Sequence, residues 1–136
     1  MIFQTIFSAL KFFLQQLCAN PCRVHRDFDC EQVVKGTAIK IIDGTAIADY
    51  RMVEYLKSVA ENNEIQWQSE ILPAGGTDTA AIQQYGRGGS IAGAISIPTR
   101  YLHQTIEMVS ENDVLNSISL LTEAVKGLAQ FDWGHR

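Results

Sequence analysis

The stretch SIPTRYLHQTIEM, residues 96–108, concentrates groups that can do chemistry. An apolar run from Ile91 to Ile97 is closed by Pro98, and Arg100, Tyr101, His103 and Glu107 follow. Neutral imidazole is the commonest transition-metal ligand, and a nearby carboxylate such as Glu107 can orient it. On spacing alone, a single histidine past a strand is more often a surface residue, so ligation by His103 stays one of two readings. His25 and His135 lie in irregular segments and are weaker candidates. A second stretch, PAGGTDTAA, carries Gly75, Gly76, Thr77 and Asp78. Its glycines let backbone approach a ligand closely, and a following helix would aim free N–H groups at an anion. The alternative is a glycine-rich turn with Thr77 or Asp78 as helix cap. The pattern is neither GxGxxG nor a Walker loop, so a nucleotide is not indicated. GRGGS, residues 86–90, reads as a flexible turn.

These groups need elements to hold them. TAIKIID, residues 37–43, reads as a strand ended by Gly44. A helix follows over about residues 48–62, capped by Asp49 and stopped at Asn62-Asn63, with Ile47, Tyr50, Met52, Val53, Leu56, Val59 and Ala60 on its apolar face. IQWQSEIL alternates Ile65, Trp67, Ser69 and Ile71 against a wetter face of Gln66, Gln68 and Glu70. A short helix around Ala80–Ile82 and a small-residue strand stopped by Pro98 and Thr99 come next. The last helix, about residues 112–129, presents Val114, Leu115, Ile118, Leu121 and Leu128, with Phe131 beyond. Strands alternating with helices predict an α/β fold with a parallel or mixed sheet flanked by helices.

The opening residues place Ile2, Phe3, Ile6, Phe7, Leu10, Phe13, Leu14 and Leu17 at steps of three and four, the stripe of an amphipathic helix. Gln4, Lys11, Gln15 and Gln16 interrupt a membrane span, and no basic start suggests a signal peptide. Packing on a core or a partner is favoured over membrane association. A chain of 136 residues suffices for one domain, and 46% hydrophobic with 19% charged residues is ordinary for a globular protein. A net charge of -4 without a basic block argues against nucleic acid. Cys18, Cys22 and Cys30 are odd in number and fit no metal frame. They read as reduced thiols of a cytoplasmic protein, with a zinc knuckle or disulfide as the alternative.

GTAIKIIDGTAIADYRMVEYL, ILPAGGTDTAAI and GAISIPTRYLHQTIEMV, in that order and spacing, make the chain similar to the C-terminal part of one peptidase family. These are the co-catalytic metallo-aminopeptidases, which include glutamyl aminopeptidase, FrvX, the tetrahedral (TET) aminopeptidases and proteins labelled endoglucanase M. The resemblance covers roughly residues 30–128. It implies the C-terminal half of a zinc-aminopeptidase-like catalytic domain, a peptide substrate and a homo-oligomer. It implies hydrolysis of N-terminal residues by two divalent ions, zinc or cobalt, with a glutamate as general base. His103 matches the last of the family's ligands, which are two histidines, two aspartates and a glutamate. Gly75, Gly76, Thr77 and Asp78 would line the substrate site, beside His103 in one cleft, and Arg100, Tyr101 and Glu107 would support the histidine. The chain has no Glu-Glu dipeptide, where the family places its base. The expected organisation is therefore a non-family segment 1–29, a partial catalytic domain 30–130 and a tail 131–136. The ions are not expected to be retained. The alternative is a small interaction protein that reuses the half-fold and docks through its N-terminal helix.

Overall fold

The computed structural model describes residues 13–19, 33–85 and 88–134. Their elements are β1 (Phe13–Ala19), β2 (Thr37–Ile42), α1 (Tyr50–Asn62), β3 (Trp67–Ile71), α2 (Thr79–Gln84), β4 (Ala94–Arg100), β5 (Met108–Val109) and α3 (Glu111–Gly127). The sheet order is β1-β4-β2-β3, with β5 paired to the end of β4. β2 and β3 are parallel, β1 and β4 are parallel, and β4 runs antiparallel to β2. The fold is α/β with a mixed sheet, as the alternating pattern predicts.

α1 and α3 lie against each other and against β2 and β4. α1 starts at Asp49, whose carboxylate accepts from Arg51 N at 3.0 Å, and stops where Asn63 N and Nδ2 both bond Val59 O. Met52, Val53, Leu56, Val59 and Ala60 fall on one stripe and meet Ile39 and Ile95 of the sheet and Leu120, Ala124 and Leu128 of the last helix. Tyr50 and Ile47, read as part of that face, are exposed. Tyr55 is buried instead, donating to Ala124 O. Phe131 and Trp133 fold back over it, with ring centroids 4.8 and 5.2 Å from Tyr55. Arg51 holds this end by donating to Trp133 O at 3.0 Å.

Four expectations are overturned. Phe13–Ala19 is a strand paired along all of β4, not the end of an amphipathic helix; Met1 to Phe12 and residues 20–32 lie outside the described residues. An open strand edge offers a row of backbone partners that outweighs a helical stripe of modest propensity. Pro98 does not stop β4. It lies past the last antiparallel pair with β2 (Ala38↔Ser96) and before the first with β5 (Thr99↔Val109), where no antiparallel partner is paired with it. α3 buries Asp113, Ser117, Leu120 and Ala124, while Leu115 and Ile118 are exposed. Finally, Glu70 is not on a wet face.

Glu70 is 0% exposed and Lys40 2%, and their side chains form an ion pair. Ser96 Oγ donates to the other Glu70 oxygen at 2.5 Å. Lys40 and Ser96 adjoin Ile39 and Ile95 in sequence, so alternation sets this polar group on the face away from α1 and α3. Burial of a carboxylate is tolerable because each oxygen has a charged or hydroxyl donor.

The entry to β2 is held from α3. Asp113 accepts Val34 N at 2.7 Å and Gly36 N at 2.8 Å, and Ser117 Oγ lies 2.7 Å from the Thr37 hydroxyl. This clamp keeps Val34 at φ 77°, a region costly for a β-branched side chain.

Two outcomes follow for stability. Glu70→Leu alone, which strands the Lys40 ammonium, should cost about 3–5 kcal/mol, whereas Lys40→Met with Glu70→Leu should recover most of that loss. Urea titration checks both, and equal losses in the single and double variants would contradict the pairing. Val34→Gly should raise stability by about 1 kcal/mol by relieving the left-handed strain. A lower melting temperature for that variant would count against it.

Candidate functional site

Opposite strand directions send the two candidate loops to opposite ends of the sheet. Gly75–Asp78 follows β3 and packs beside Asp43–Thr45, which follows β2: Gly44 N donates to Gly75 O at 2.8 Å. His103 follows β4, which is antiparallel to β2, so it stands at the end where β2 and β3 begin. The expectation that one cleft holds both loops is therefore wrong. Each loop does sit beyond a strand's carboxyl end, but in a mixed sheet those ends are not on one side.

At the first end, the residue types are accounted for by loop–loop packing. Asp43 Oδ1 accepts from Thr45 N, Thr45 Oγ1 and Ala46 N, each at 2.8 Å, and Oδ2 accepts from Thr77 Oγ1 at 2.7 Å. Added side-chain carbons at Gly44 and Gly76 would lie 2.6 Å from Gly75 O and 2.4 Å from Thr45 Cγ2, so both positions need glycine. Gly75 has φ 98°, which only glycine adopts without strain. Asp78 is exposed and occupies the cap position of α2 without a side-chain cap bond. Burial alone would raise the Asp43 pKa, but the bonds from Thr77, Thr45 and Ala46 outweigh it and hold the carboxyl below its ordinary 3.8. The Asp-Gly-Thr run, a side chain that can bond its own backbone two residues on, was the available signal for this clasp.

At the second end, β4 and β5 form a hairpin with the pairs Thr99↔Val109 and Arg100↔Met108. Its loop carries Tyr101, His103 and Glu107, all exposed, and Arg100 is exposed at the strand end. Tyr101 and His103 adopt left-handed backbone, φ 63° and 60°. Gln104 N donates to Tyr101 O at 3.0 Å, and His103 N donates to Glu107 Oε1 at 2.9 Å. Glu107 thus supports the histidine through its backbone amide.

Does this donor set fit two divalent ions? A catalytic zinc takes about three protein ligands. Among the described residues no group of three His, Cys, Asp or Glu side chains comes together. His103 has Glu107 as its bonded neighbour, and one imidazole with one carboxylate leaves most of each coordination shell to water. The described residues do not fit the two-ion site.

Residues 17–120 match the model of the M42 glutamyl aminopeptidases. The chain belongs to that family. A protein of Acetivibrio thermocellus assigned by name to the aminopeptidases is 42% identical over 90 residues, which are 66% of this chain and 27% of that one. The aminopeptidase APDkam598 of Desulfurococcus kamchatkensis superposes with TM-score 0.73 at 33% identity, over 83% of this chain and 32% of its own. The TET1 peptidase of Pyrococcus horikoshii, which can assemble into a tetrahedron or a large octahedral shell, superposes with TM-score 0.67 at 29% identity, over 84% and 32%. The M42 chain thus spans about a third or less of these relatives' lengths. No helix among its described residues is long and apolar enough to cross a membrane.

The Asp43 clasp sets an acid limit on this M42 domain. Its folded pKa lies below the unfolded value, so its contribution is present above about pH 4 and is lost as pH falls through the folded value. Asp43→Asn should cost about 1–3 kcal/mol at pH 7 and flatten the stability profile below about pH 4. Thermal melts across that range read both. An unchanged profile in the variant would sink the assignment.

Proposed function

We propose that this chain is the C-terminal part of an M42 aminopeptidase catalytic domain, with no turnover of its own. The whole protein's reaction would be hydrolysis of the N-terminal residue of a peptide, carried by two divalent ions. His103 would be this chain's contribution to their ligands, with Glu107, Tyr101 and Arg100 as its supports. The remaining ligands and the glutamate base would come from polypeptide this chain lacks. The observation that carries the reading is the M42 match over residues 17–120, combined with a motif histidine that has no three-ligand group around it among the described residues. A homo-oligomeric, cytoplasmic enzyme is the whole protein we envisage, by likeness to the assembling TET1 peptidase and by the reduced-thiol reading of the cysteines.

The Gly75–Asp78 loop takes no substrate role beside His103 in this reading, because it clasps Asp43 at the other end of the sheet.

The test is direct. The purified chain, supplied with zinc or cobalt, should release no p-nitroaniline from amino-acyl substrates. The missing general base alone removes roughly 10²–10⁴-fold. Release that is abolished by chelation and by His103→Ala would overturn the proposal.

A further inference from the structure

We propose that residues 128–133 form a strap across α1 and α3, with the Asp49–Arg51 pair as its catch, and that the strap opens as a unit while the sheet stays closed. Every contact involved lies within this chain, so the strap does not depend on the reading under Proposed function. It starts where α3 ends. Gly127, the last residue of α3, lies against Tyr55 of α1: a side-chain carbon added there would come 2.8 Å from the Tyr55 hydroxyl oxygen. Glycine thus lets the two helices meet closely at the point where the chain turns back. Gln130 N donates to Gly127 O at 3.1 Å, and Trp133 Nε1 donates to Leu128 O at 3.0 Å, so the turn is closed by its own bonds. Phe131 and Trp133 then pack on Tyr55 and on each other, their own centroids 4.8 Å apart with the rings at 66°. That is the edge-on arrangement that ring quadrupoles favour.

The catch is polar. Arg51 Nε and Nη2 fork onto the two carboxylate oxygens of Asp49 at 2.9 and 2.7 Å, and Nη1 donates to Trp133 O at 3.0 Å. Both side chains of the pair are largely withdrawn from water, at 15% and 17% exposure, which strengthens these charge-assisted bonds. The same Asp49 carboxylate caps α1, and the Asp49 N–H donates to Ala92 O at 3.0 Å. The strap is thereby fastened to the segment that leads into β4. A planar guanidinium is needed for this, because a lysine ammonium cannot fork onto a carboxylate and reach a third acceptor in a fixed direction. Opening the strap breaks the Trp133 bonds and the ring contacts and uncovers Tyr55. It leaves the pairing of β2 with β3 and β4 intact, which is the condition for a local unit of unfolding.

Native-state hydrogen exchange on the full chain tests the strap. In Arg51→Met the protection of the Trp133 indole N–H should fall about tenfold or more, while the amides of β2 and β4 keep theirs. Arg51→Lys, which retains the charge and is the milder change should the first variant fold poorly, should show the same selective loss. Digestion by a broad-specificity carboxypeptidase, followed by mass, gives a second readout. It should stall before Trp133 in the parent chain and run on to about Leu128 in both variants. Unchanged Trp133 protection and an unchanged stall in the variants would overturn the catch. Loss of protection in β2 and β4 in step with Trp133 would overturn the strap as a separate unit. Full protection of the indole in Arg51→Lys would show that charge alone suffices, which would overturn the role given to the fork.

Discussion

β4 lies between β1 and β2, parallel to the first and antiparallel to the second. Most of the architecture depends on that reversal. It sets Ile95 opposite Ile39, so the two isoleucines face α1 and α3 together and seed the apolar core. By alternation it places Ser96 on the other face, where its hydroxyl reaches Glu70. It also carries the chain that follows β4 to the end where β2 and β3 begin. The His103 hairpin and the 75–78 loop are therefore separated by the length of the sheet.

Polar groups make the joints of this small domain. Asp113 ties the entry of β2 to α3, Asp43 ties the two loops at the far end, and Lys40–Glu70 joins β2 to β3. Each carboxylate is stable in its buried or half-buried place because its oxygens are bonded to amides, hydroxyls or an ammonium. Such joints are demanding in geometry, since an oxygen left without its donor costs more than the bond is worth. They specify how loops meet helices, which an apolar contact of the same size would leave adjustable.

The M42 relationship and the local chemistry meet at the hairpin. The backbone of the motif histidine is held by a strained turn and a carboxylate. Among the described residues no group of three ligating side chains comes together, and about two-thirds or more of each matched relative lies outside the shared segment. Ile106, Met108 and Val109 of the same hairpin are exposed, where their apolar side chains gain nothing from water.

The sequence by itself determined the local elements and the family. Helical spacing from Met52 to Ala60, the Asp49 cap and the Asn63 stop are decided within a few residues, and so α1 was legible. β2, β3 and the start of β4 were legible from their β-branched, half-alternating patterns, and the His103 motif from its residue types and order. Only the tertiary structure decided what depends on partners distant in sequence. Phe13–Ala19 carries a helical stripe and becomes a strand because β4 has an edge to fill. Glu70 sits in a polar pattern and is buried because Lys40 and Ser96 reach it across two neighbouring strands. Leu115 and Ile118 lose the core to Asp113 and Ser117 because those short polar side chains bond the entry of β2. Strand direction, which separates His103 from Asp78, has no signature within either loop. It is set by backbone pairing between segments dozens of residues apart, and period and composition carry no record of it.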